Sequence, residues 1–235
     1  DTWQGDEAVE QKELQAMGVL EQHLQERAPT LAALIIEPII QGASGMRVCR
    51  PEFIKKMVQT LRQHNILVIF DEVMTAFGRT GTYFALEQLG VTPDFLCLSK
   101  GITGGFLPLA LTITQSKIYE AFLGEDWSTA FAHGHSYTGN PLACSAAICS
   151  LGLLRRLECQ EAIQAIRQGH QAGLAYLKQV CPSIDKIRHL GTIAAFDLPG
   201  RKPCMPELKQ RFWGEGLLLR PLGETVYLLP PYCLS

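Results

Sequence analysis

The sequence predicts an α/β fold in which helices cover a mainly parallel sheet, followed by a small C-terminal α+β domain. Ile66–Phe70 is entirely apolar, as expected of a strand buried on both faces, and Asp71 follows it directly. Asp94–Leu98 is a second strand, apolar after its first residue, and Ser99-Lys100 follows it. The interval between Asp71 and Lys100 suits neighbouring parallel strands joined by a crossover.

The other elements of the large domain are read from apolar spacing and from prolines that open or end helices. In chain order they are a helix over 7–25, a buried strand over 31–36, a helix over 51–64, a short helix over 83–89, a strand over 107–113 and a short helix over 116–122. Residues 126–140 form a long irregular loop, which in a compact domain is more often functional than not.

The pattern of predicted elements changes after a long apolar helix over 140–157, which we expect to be buried. The remaining predicted elements are a helix over 161–180, strands over 186–190 and 192–198, a helix over 206–213 and strands over 217–220 and 225–229. This mixture lacks βαβ regularity, so residues 1–158 are predicted to belong to the large domain and residues 159–235 to the small one.

Composition excludes several classes of protein. The 235 residues are 47% apolar with a formal charge of −2, so neither a nucleic acid nor a membrane is an expected partner. No apolar run reaches the roughly 18 residues of a membrane span, and the N-terminus has no signal-peptide pattern, so we expect a cytoplasmic protein. The eight cysteines form no C-x-x-C pair, which favours reduced thiols.

Asp71 and Lys100 are the candidate reactive groups. A carboxylate at the end of a strand often caps a helix or pairs with a base, and that alternative stays open for Asp71. Lys100, however, lies between an apolar strand and the glycines of Gly101–Gly105, where a partly dry cleft would make an amine a usable nucleophile toward a carbonyl. A lysine for a Schiff base and a carboxylate for a ring nitrogen are the pair that pyridoxal phosphate requires.

Four short segments carry a resemblance to a known family: Ile35–Pro38, Phe70–Val73, Phe77–Gly81 and Leu98–Gly101. They resemble class III pyridoxal-phosphate aminotransferases, which have the type I, aspartate-aminotransferase-like fold. The resemblance implies pyridoxal 5'-phosphate as the cofactor, transamination as the reaction and a homodimer as the assembly. It also implies that Lys100 is catalytic and binds the cofactor, and that Asp71 binds the ring nitrogen.

His133–Leu142 and Arg220–Tyr232 narrow the resemblance to members that act in biotin biosynthesis. These convert 8-amino-7-oxononanoate to 7,8-diaminononanoate, and either S-adenosylmethionine or lysine is the amino donor. In such members the segment that corresponds to His133–Leu142 reaches across the dimer to the cofactor phosphate of the other subunit. The resemblance assigns that contact to Ser136, with its neighbour His135.

Three residues are expected at the substrate. The resemblance implies that Arg220 binds the substrate carboxylate, that Tyr227 lies nearby and that Gly134 leaves room at the dimer interface. The pair His133-x-His135 has no third ligand at a metal-site spacing, so a zinc site is rejected. A surface loop of small polar residues is the plain alternative for this segment.

Some features leave the function open. Met74 stands where many class III aminotransferases carry glutamine, which disfavours the ornithine- and GABA-type members without excluding them. Members of the family are longer, with an upstream glycine/serine turn for the phosphate and an aromatic residue stacked on the ring. The chain is therefore expected to be part of such an enzyme. The alternatives are an aminotransferase for another ω-amino acid, or a piece of the same fold that does not turn over substrate.

Overall fold

The computed structural model describes residues 3–201 and 204–234. In that part of the chain the α-helices are α1 Val9–Arg27, α2 Pro51–Gln63, α3 Ser116–Tyr119, α4 Pro141–Leu154, α5 Leu157–Val180 and α6 Met205–Gly214. The strands are β1 Ala33–Ile36, β2 Ile40–Gln41, β3 Arg47–Val48, β4 Leu67–Asp71, β5 Phe95–Leu98, β6 Leu111–Thr114, β7 Asp185–Leu190, β8 Ile193–Asp197 and β9 Thr225–Leu228. None of these helices is both long and apolar enough to cross a membrane.

The main sheet has the order β1-β4-β5-β6. Strands β1, β4 and β5 are parallel, with Ile36 beside Phe70 and Asp71 beside Cys97. Strand β6 runs antiparallel to β5. The α/β prediction with a mainly parallel sheet is confirmed, and the parallel register brings the polar residues that follow β1, β4 and β5 to one edge.

Only one face of this sheet is covered by the described residues. Val68 and Phe70 are fully buried in one core cluster with Ile54 and Val58 of α2. On the opposite face Ile35 keeps 62% of its surface exposed. The prediction that the strand over 31–36 is buried is therefore wrong for this face, because an apolar strand shows that its residues suit burial but does not show what covers them.

The C-terminal sheet, in the order β7-β8-β9, is antiparallel and has its own core with α5. Its β7–β8 turn contacts the segment after β4. Gly191 has φ +57°, and a Cβ there would overlap the backbone of Thr80 and Gly81. Thr192 N–H donates to Arg79 O at 3.0 Å, so this glycine is required for the close approach of the two segments.

The structure corrects four further elements. Residues 107–110 belong to no strand, so β6 begins at Leu111 rather than at 107. Residues 217–220 are likewise outside any ladder. Helix α5 begins at Leu157, not at 161, and α4 is not buried as predicted: Leu142 and Ile148 are more than 70% exposed. The helix is apolar all round, and its composition cannot tell a covered face from an uncovered one.

Candidate active site

The carboxyl edge of the main sheet gathers the groups that can do chemistry. Asp71 is the last residue of β4, and Cys97 lies beside it in β5. Glu37 follows β1 at the position next to Asp71, because the preceding residues Ile36 and Phe70 are paired. Lys100 follows β5 at the same edge, and the charges of both Asp71 and Lys100 act on the pKa of Glu37.

Lys100 begins a 3₁₀ helix, Lys100–Thr103, in the left-handed backbone conformation with φ +46°. This conformation is costly for a residue with a Cβ, and such residues concentrate at functional sites. Close packing holds the next residue, since a Cβ at Gly101 would come within 2.8 Å of Phe77 Cδ2. Ser99 Oγ donates to Leu109 O at 2.8 Å on the other side. The Lys100 side chain is exposed rather than enclosed in the expected dry cleft, because these residues supply only one wall of its surroundings.

Asp71 is half-buried, and one of its oxygens is engaged locally. Val73 N–H donates to Asp71 Oδ1 at 3.0 Å, a contact within the turn that follows β4 and not a helix cap. The bond orients the carboxylate and leaves Oδ2 to accept from a ligand. Burial raises the pKa of the neighbouring Cys97 thiol, and the Asp71 carboxylate raises it further.

Glu72 is a structural anchor that the sequence did not reveal. Its side chain is fully buried, and its carboxylate accepts from Ala85 N at 2.7 Å, from Leu86 N at 2.8 Å and from Thr75 Oγ1 at 3.1 Å. Burial raises the pKa of Glu72, and these three donors lower it. The carboxylate thus closes the loop after β4 onto the 3₁₀ helix Ala85–Gln88 and fixes the backbone beyond Asp71.

Replacing Glu72 with alanine is expected to lower the free energy of unfolding by about 3–5 kcal/mol, because two amides and a hydroxyl lose their acceptor inside the protein. Thermal or denaturant unfolding of the full natural protein that contains this chain measures the loss. The matched control is Glu87→Ala: Glu87 is exposed and accepts one bond, from Phe84 N at 2.8 Å, so a loss of about 1 kcal/mol or less is expected. Equal losses in the two variants would show that Glu72 is not an anchor.

Arg79 joins the loop after β4 to the C-terminal part of the chain. Its Nη1 donates to Thr192 Oγ1 at 2.9 Å and to Pro230 O at 2.8 Å, and its guanidinium lies 4.8 Å from the centre of the Tyr232 ring. Tyr232 Oη donates in turn to Phe77 O at 2.8 Å. Burial lowers the pKa of Arg79. The Phe77–Gly81 segment is therefore one place where the C-terminal part of the chain contacts the loop after β4.

The loop that contains Gly134, His135 and Ser136 is exposed throughout. It lies along an open cleft of about 840 Å³ whose lining includes Ser99, Thr112, Gly134 and His135. The cleft thus extends from the residue before Lys100 to this loop. Within the loop His135 N–H donates to Thr138 Oγ1 at 3.0 Å, and the Ser136 hydroxyl is at the surface.

The two candidates for substrate binding in the C-terminal part of the chain differ in their surroundings. Tyr227 is half-buried in β9 beside Ala195 and packs against the core cluster that includes Met46 and Phe70. Arg220 is exposed in the extended segment before β9, and no hydrogen bond or ion pair among the described residues joins it to Asp71 or Lys100. The structure thus packs Tyr227 against the core of the main sheet, and no described hydrogen bond or ion pair joins Arg220 to the site.

The donor set at the edge fits the cofactor that the sequence implies. The carboxylate of Asp71 ends β4 and the amine of Lys100 follows the neighbouring parallel strand β5, at the edge where open α/β sheets bind ligands. The cleft lined by Ser99, Thr112 and the 131–143 segment offers hydroxyls and backbone amides, the groups that hold a phosphate dianion. The residues present therefore suit pyridoxal phosphate at its aldehyde and its ring nitrogen.

Comparison with known proteins agrees with this geometry. A family model described as aminotransferase class III matches residues 3–235. The chain is 47% identical over 240 residues to the adenosylmethionine-8-amino-7-oxononanoate aminotransferase of Synechococcus elongatus, covering all of this chain and 55% of that protein. It is 38% identical to the protein of the same name from Helicobacter pylori, covering 94% of this chain and 52% of that one. The chain spans about half the length of these curated relatives.

Solved structures give the same fold. An ω-transaminase from Pseudomonas jessenii in complex with PMP superposes with a TM-score of 0.85 at 28% identity, over 94% of this chain and 51% of that one. The ornithine δ-aminotransferase of Plasmodium falciparum superposes with a TM-score of 0.80 at 27% identity, over 92% of this chain and 55% of that one. These neighbours confirm the predicted type I fold and show that the described residues form part of it.

Proposed function

The chain belongs to the class III aminotransferases, and on that premise we propose that it forms part of a cytoplasmic, pyridoxal-phosphate-dependent enzyme that aminates 8-amino-7-oxononanoate to 7,8-diaminononanoate. S-adenosylmethionine is the proposed amino donor. The observation that supports the proposal is that Asp71 ends β4 and Lys100 follows the neighbouring parallel strand β5, together with the names of the relatives at 38–47% identity. We also keep the division into a cofactor-binding part, 1–158, and a small C-terminal part, 159–235.

The cofactor, when bound, supplies a ring that accepts the electron pair released when a carbon–hydrogen bond of the substrate breaks. Lys100 Nζ would hold the aldehyde carbon of the cofactor and, when released by the amino donor, would move the proton of the substrate carbon. Asp71 Oδ2 would accept a hydrogen bond from the protonated ring nitrogen, while Val73 N–H keeps the carboxylate in place through Oδ1. Glu72 fixes the loop that carries this contact.

A homodimer with a shared site is proposed from the surface that surrounds the cleft. Trp127 is 84% exposed, and Phe131 and Tyr137 are exposed in the same loop. Several large apolar side chains exposed together are typical of a surface that another molecule covers. The charge-free helix α4 exposes Leu142 and Ile148 beside them. A second copy that covers this surface would present Ser136 and His135 to the cofactor phosphate of its partner.

The experiment that tests the proposal is an amination assay with the full natural protein that contains this chain. We expect formation of 7,8-diaminononanoate from 8-amino-7-oxononanoate with S-adenosylmethionine as donor, and a lower rate with lysine. Preference for an unrelated ω-amino acid over this substrate, with no diaminononanoate formed, would contradict the assignment while leaving the family intact.

Arg220 is proposed to bind the carboxylate of the keto substrate. Arg220→Ala is expected to raise KM for 8-amino-7-oxononanoate by about 10- to 100-fold, because a charge-assisted bidentate contact contributes about 1.5–3 kcal/mol. The half-reaction with the amino donor should change much less. Arg211→Ala, which removes an exposed arginine from α6, is the matched control and should leave both half-reactions unchanged. Equal damage to the two half-reactions by Arg220→Ala would mean that Arg220 is structural.

A further inference from the structure

The turn Gln41–Met46 connects the site edge to the C-terminal sheet and is bound at both of its ends. At the inner end Gly42 N–H donates to Glu37 Oε2 at 2.9 Å, and Gln41 Nε2 donates to the Glu37 backbone oxygen at 2.6 Å. Met74, from the segment after β4, covers this end: a Cβ at Gly42 would lie 2.7 Å from Met74 Sδ. The turn therefore holds the Glu37 side chain in one position.

At the outer end the C-terminal sheet binds Gly45. Arg188 Nη2 donates to Gly45 O at 2.7 Å and to Asp197 Oδ1 at 2.6 Å, and its side chain is almost wholly buried. Thr225 Oγ1 donates to Asp197 Oδ1 at 2.7 Å and would lie 3.0 Å from a Cβ at Gly45, which has φ +91°. The buried guanidinium thus fixes the turn to β7, β8 and β9 together.

Glu37 itself faces the charged groups of the site. Burial raises its pKa and the Gly42 amide lowers it; the Asp71 carboxylate from β4 raises it, and Lys100, after β5, lowers it. These are the charges that act on Glu37 from the strands packed beside it. Because two carboxyl groups at neighbouring strand ends interact strongly, the position of Glu37 sets how much negative charge surrounds Asp71.

We propose that Glu37 is a second acidic group that supports Asp71 at the cofactor's ring nitrogen, and that Arg188 is a positioning residue that acts on this site through the turn Gln41–Met46. The inference rests on the proposed cofactor. Neither residue needs to touch the substrate. Glu37 adds negative charge beside the protonated ring nitrogen, and Arg188 holds the turn that keeps Glu37 there.

The direction in which cofactor affinity changes with pH follows from the ionisation of Glu37. Below the pKa of Glu37 its carboxyl group is neutral and adds no charge, whereas above it the carboxylate strengthens the hold on a protonated ring. Glu37→Gln keeps an acceptor for Gly42 and stays neutral at every pH. We therefore expect the dissociation constant of pyridoxal phosphate in the two proteins to converge at low pH, and the variant to bind about tenfold more weakly near pH 8.

The same ionisation has the opposite effect on stability in the absence of cofactor. The pKa of Glu37 is raised in the folded protein, so the folded state favours the neutral carboxyl group, and this favourable contribution is lost as the pH rises through the pKa. Glu37→Gln should consequently unfold at a higher temperature than the unsubstituted protein near pH 8 when no cofactor is present. A residue that is only structural would not combine a gain in stability with a loss of cofactor affinity.

A double-variant cycle tests the link to Arg188. Cofactor affinity is measured against pH by absorbance titration for Glu37→Gln, Arg188→Lys and the double variant of the full natural protein. Arg188→Lys should weaken binding near pH 8 in the parent, about threefold or more, and have no further effect once Glu37 is glutamine. Thr225→Val replaces Arg188→Lys if the latter does not fold, and Arg156→Lys, an exposed arginine after α4, is the matched control.

Two outcomes would overturn the inference alone: additive effects in the cycle, or a Glu37→Gln profile parallel to that of the parent at all pH values. A protein that binds no pyridoxal phosphate would overturn the inference and the proposed function together. The coupling is supported if Arg188→Lys weakens cofactor binding near pH 8 in the parent and has no further effect once Glu37 is glutamine.

Discussion

Replacing Lys100 with alanine abolishes transamination while leaving the fold intact: this is the largest effect that we expect. The variant loses both the amine that binds the cofactor aldehyde and the base that moves the substrate proton. Loss of a positioned base alone costs about 10²–10⁴ in rate, so turnover should fall by at least about 10⁴-fold. The free energy of unfolding should change little, because the Lys100 side chain is exposed. The left-handed backbone conformation is strained to a similar extent with lysine or alanine, since both carry a Cβ.

The measurement is steady-state and single-turnover transamination by the full natural protein, beside its thermal unfolding. Lys55→Ala, which removes an exposed lysine from α2, is the matched control and should retain full activity. If Lys100→Ala turned over at the parental rate, the assignment of the site would be wrong.

Asp71→Asn has the second-largest expected effect. Asparagine keeps the shape of the side chain and an acceptor for Val73 N–H, so cofactor binding and the local backbone should largely persist. It cannot hold a charged ring nitrogen, however, and the proton-transfer step should slow by about two to four orders of magnitude. Single-turnover kinetics with the amino donor isolate that step.

Asp185→Asn, at an exposed position in β7, is the control for loss of one negative charge. If the single-turnover rate of Asp71→Asn were unchanged, Asp71 would have only a structural role, through its contact with Val73. The same variant also separates Asp71 from Glu37, since Glu37→Gln is expected to alter cofactor affinity about tenfold rather than the rate by orders of magnitude.

The parts of the fold that follow from local pattern could be predicted. The apolar runs before Asp71 and Lys100 identified two adjacent parallel strands, because each run has the length and composition of a strand and the chain between them suits a crossover. Pro51 gave the start of α2 correctly, and the spacing of its apolar residues gave the face that Ile54 and Val58 bury.

Errors arose where burial depends on residues distant in sequence. Apolar runs predicted buried elements at β1 and α4, but Ile35 and Ile148 are exposed, because pattern shows suitability for burial and not the presence of a cover. Helix α5 was predicted to begin late, since the polar residues of its first turn resemble a linker. Residues 217–220 have strand composition, but they pair with no strand in the described part of the chain.

The candidate site divides in the same way. Asp71 and Lys100 could be found because each follows a recognisable strand. The anchoring role of Glu72 and the chain from Arg188 through Gly45 to Glu37 could not be found, because they depend on contacts between residues far apart in sequence, such as Arg188 and Gly45. The only sequence signal for Glu72 was its position after a buried strand, and Asp71 has the same signal.

Chemical trapping of the cofactor tests the central claim most directly. The full natural protein is incubated with pyridoxal phosphate, reduced with sodium borohydride and digested for peptide mass spectrometry. A phosphopyridoxyl group on one peptide, at Lys100, is the predicted result, with loss of the label in Lys100→Ala. Label on a different lysine, or no cofactor retained after reduction, would contradict the assignment of this sheet edge as the active site.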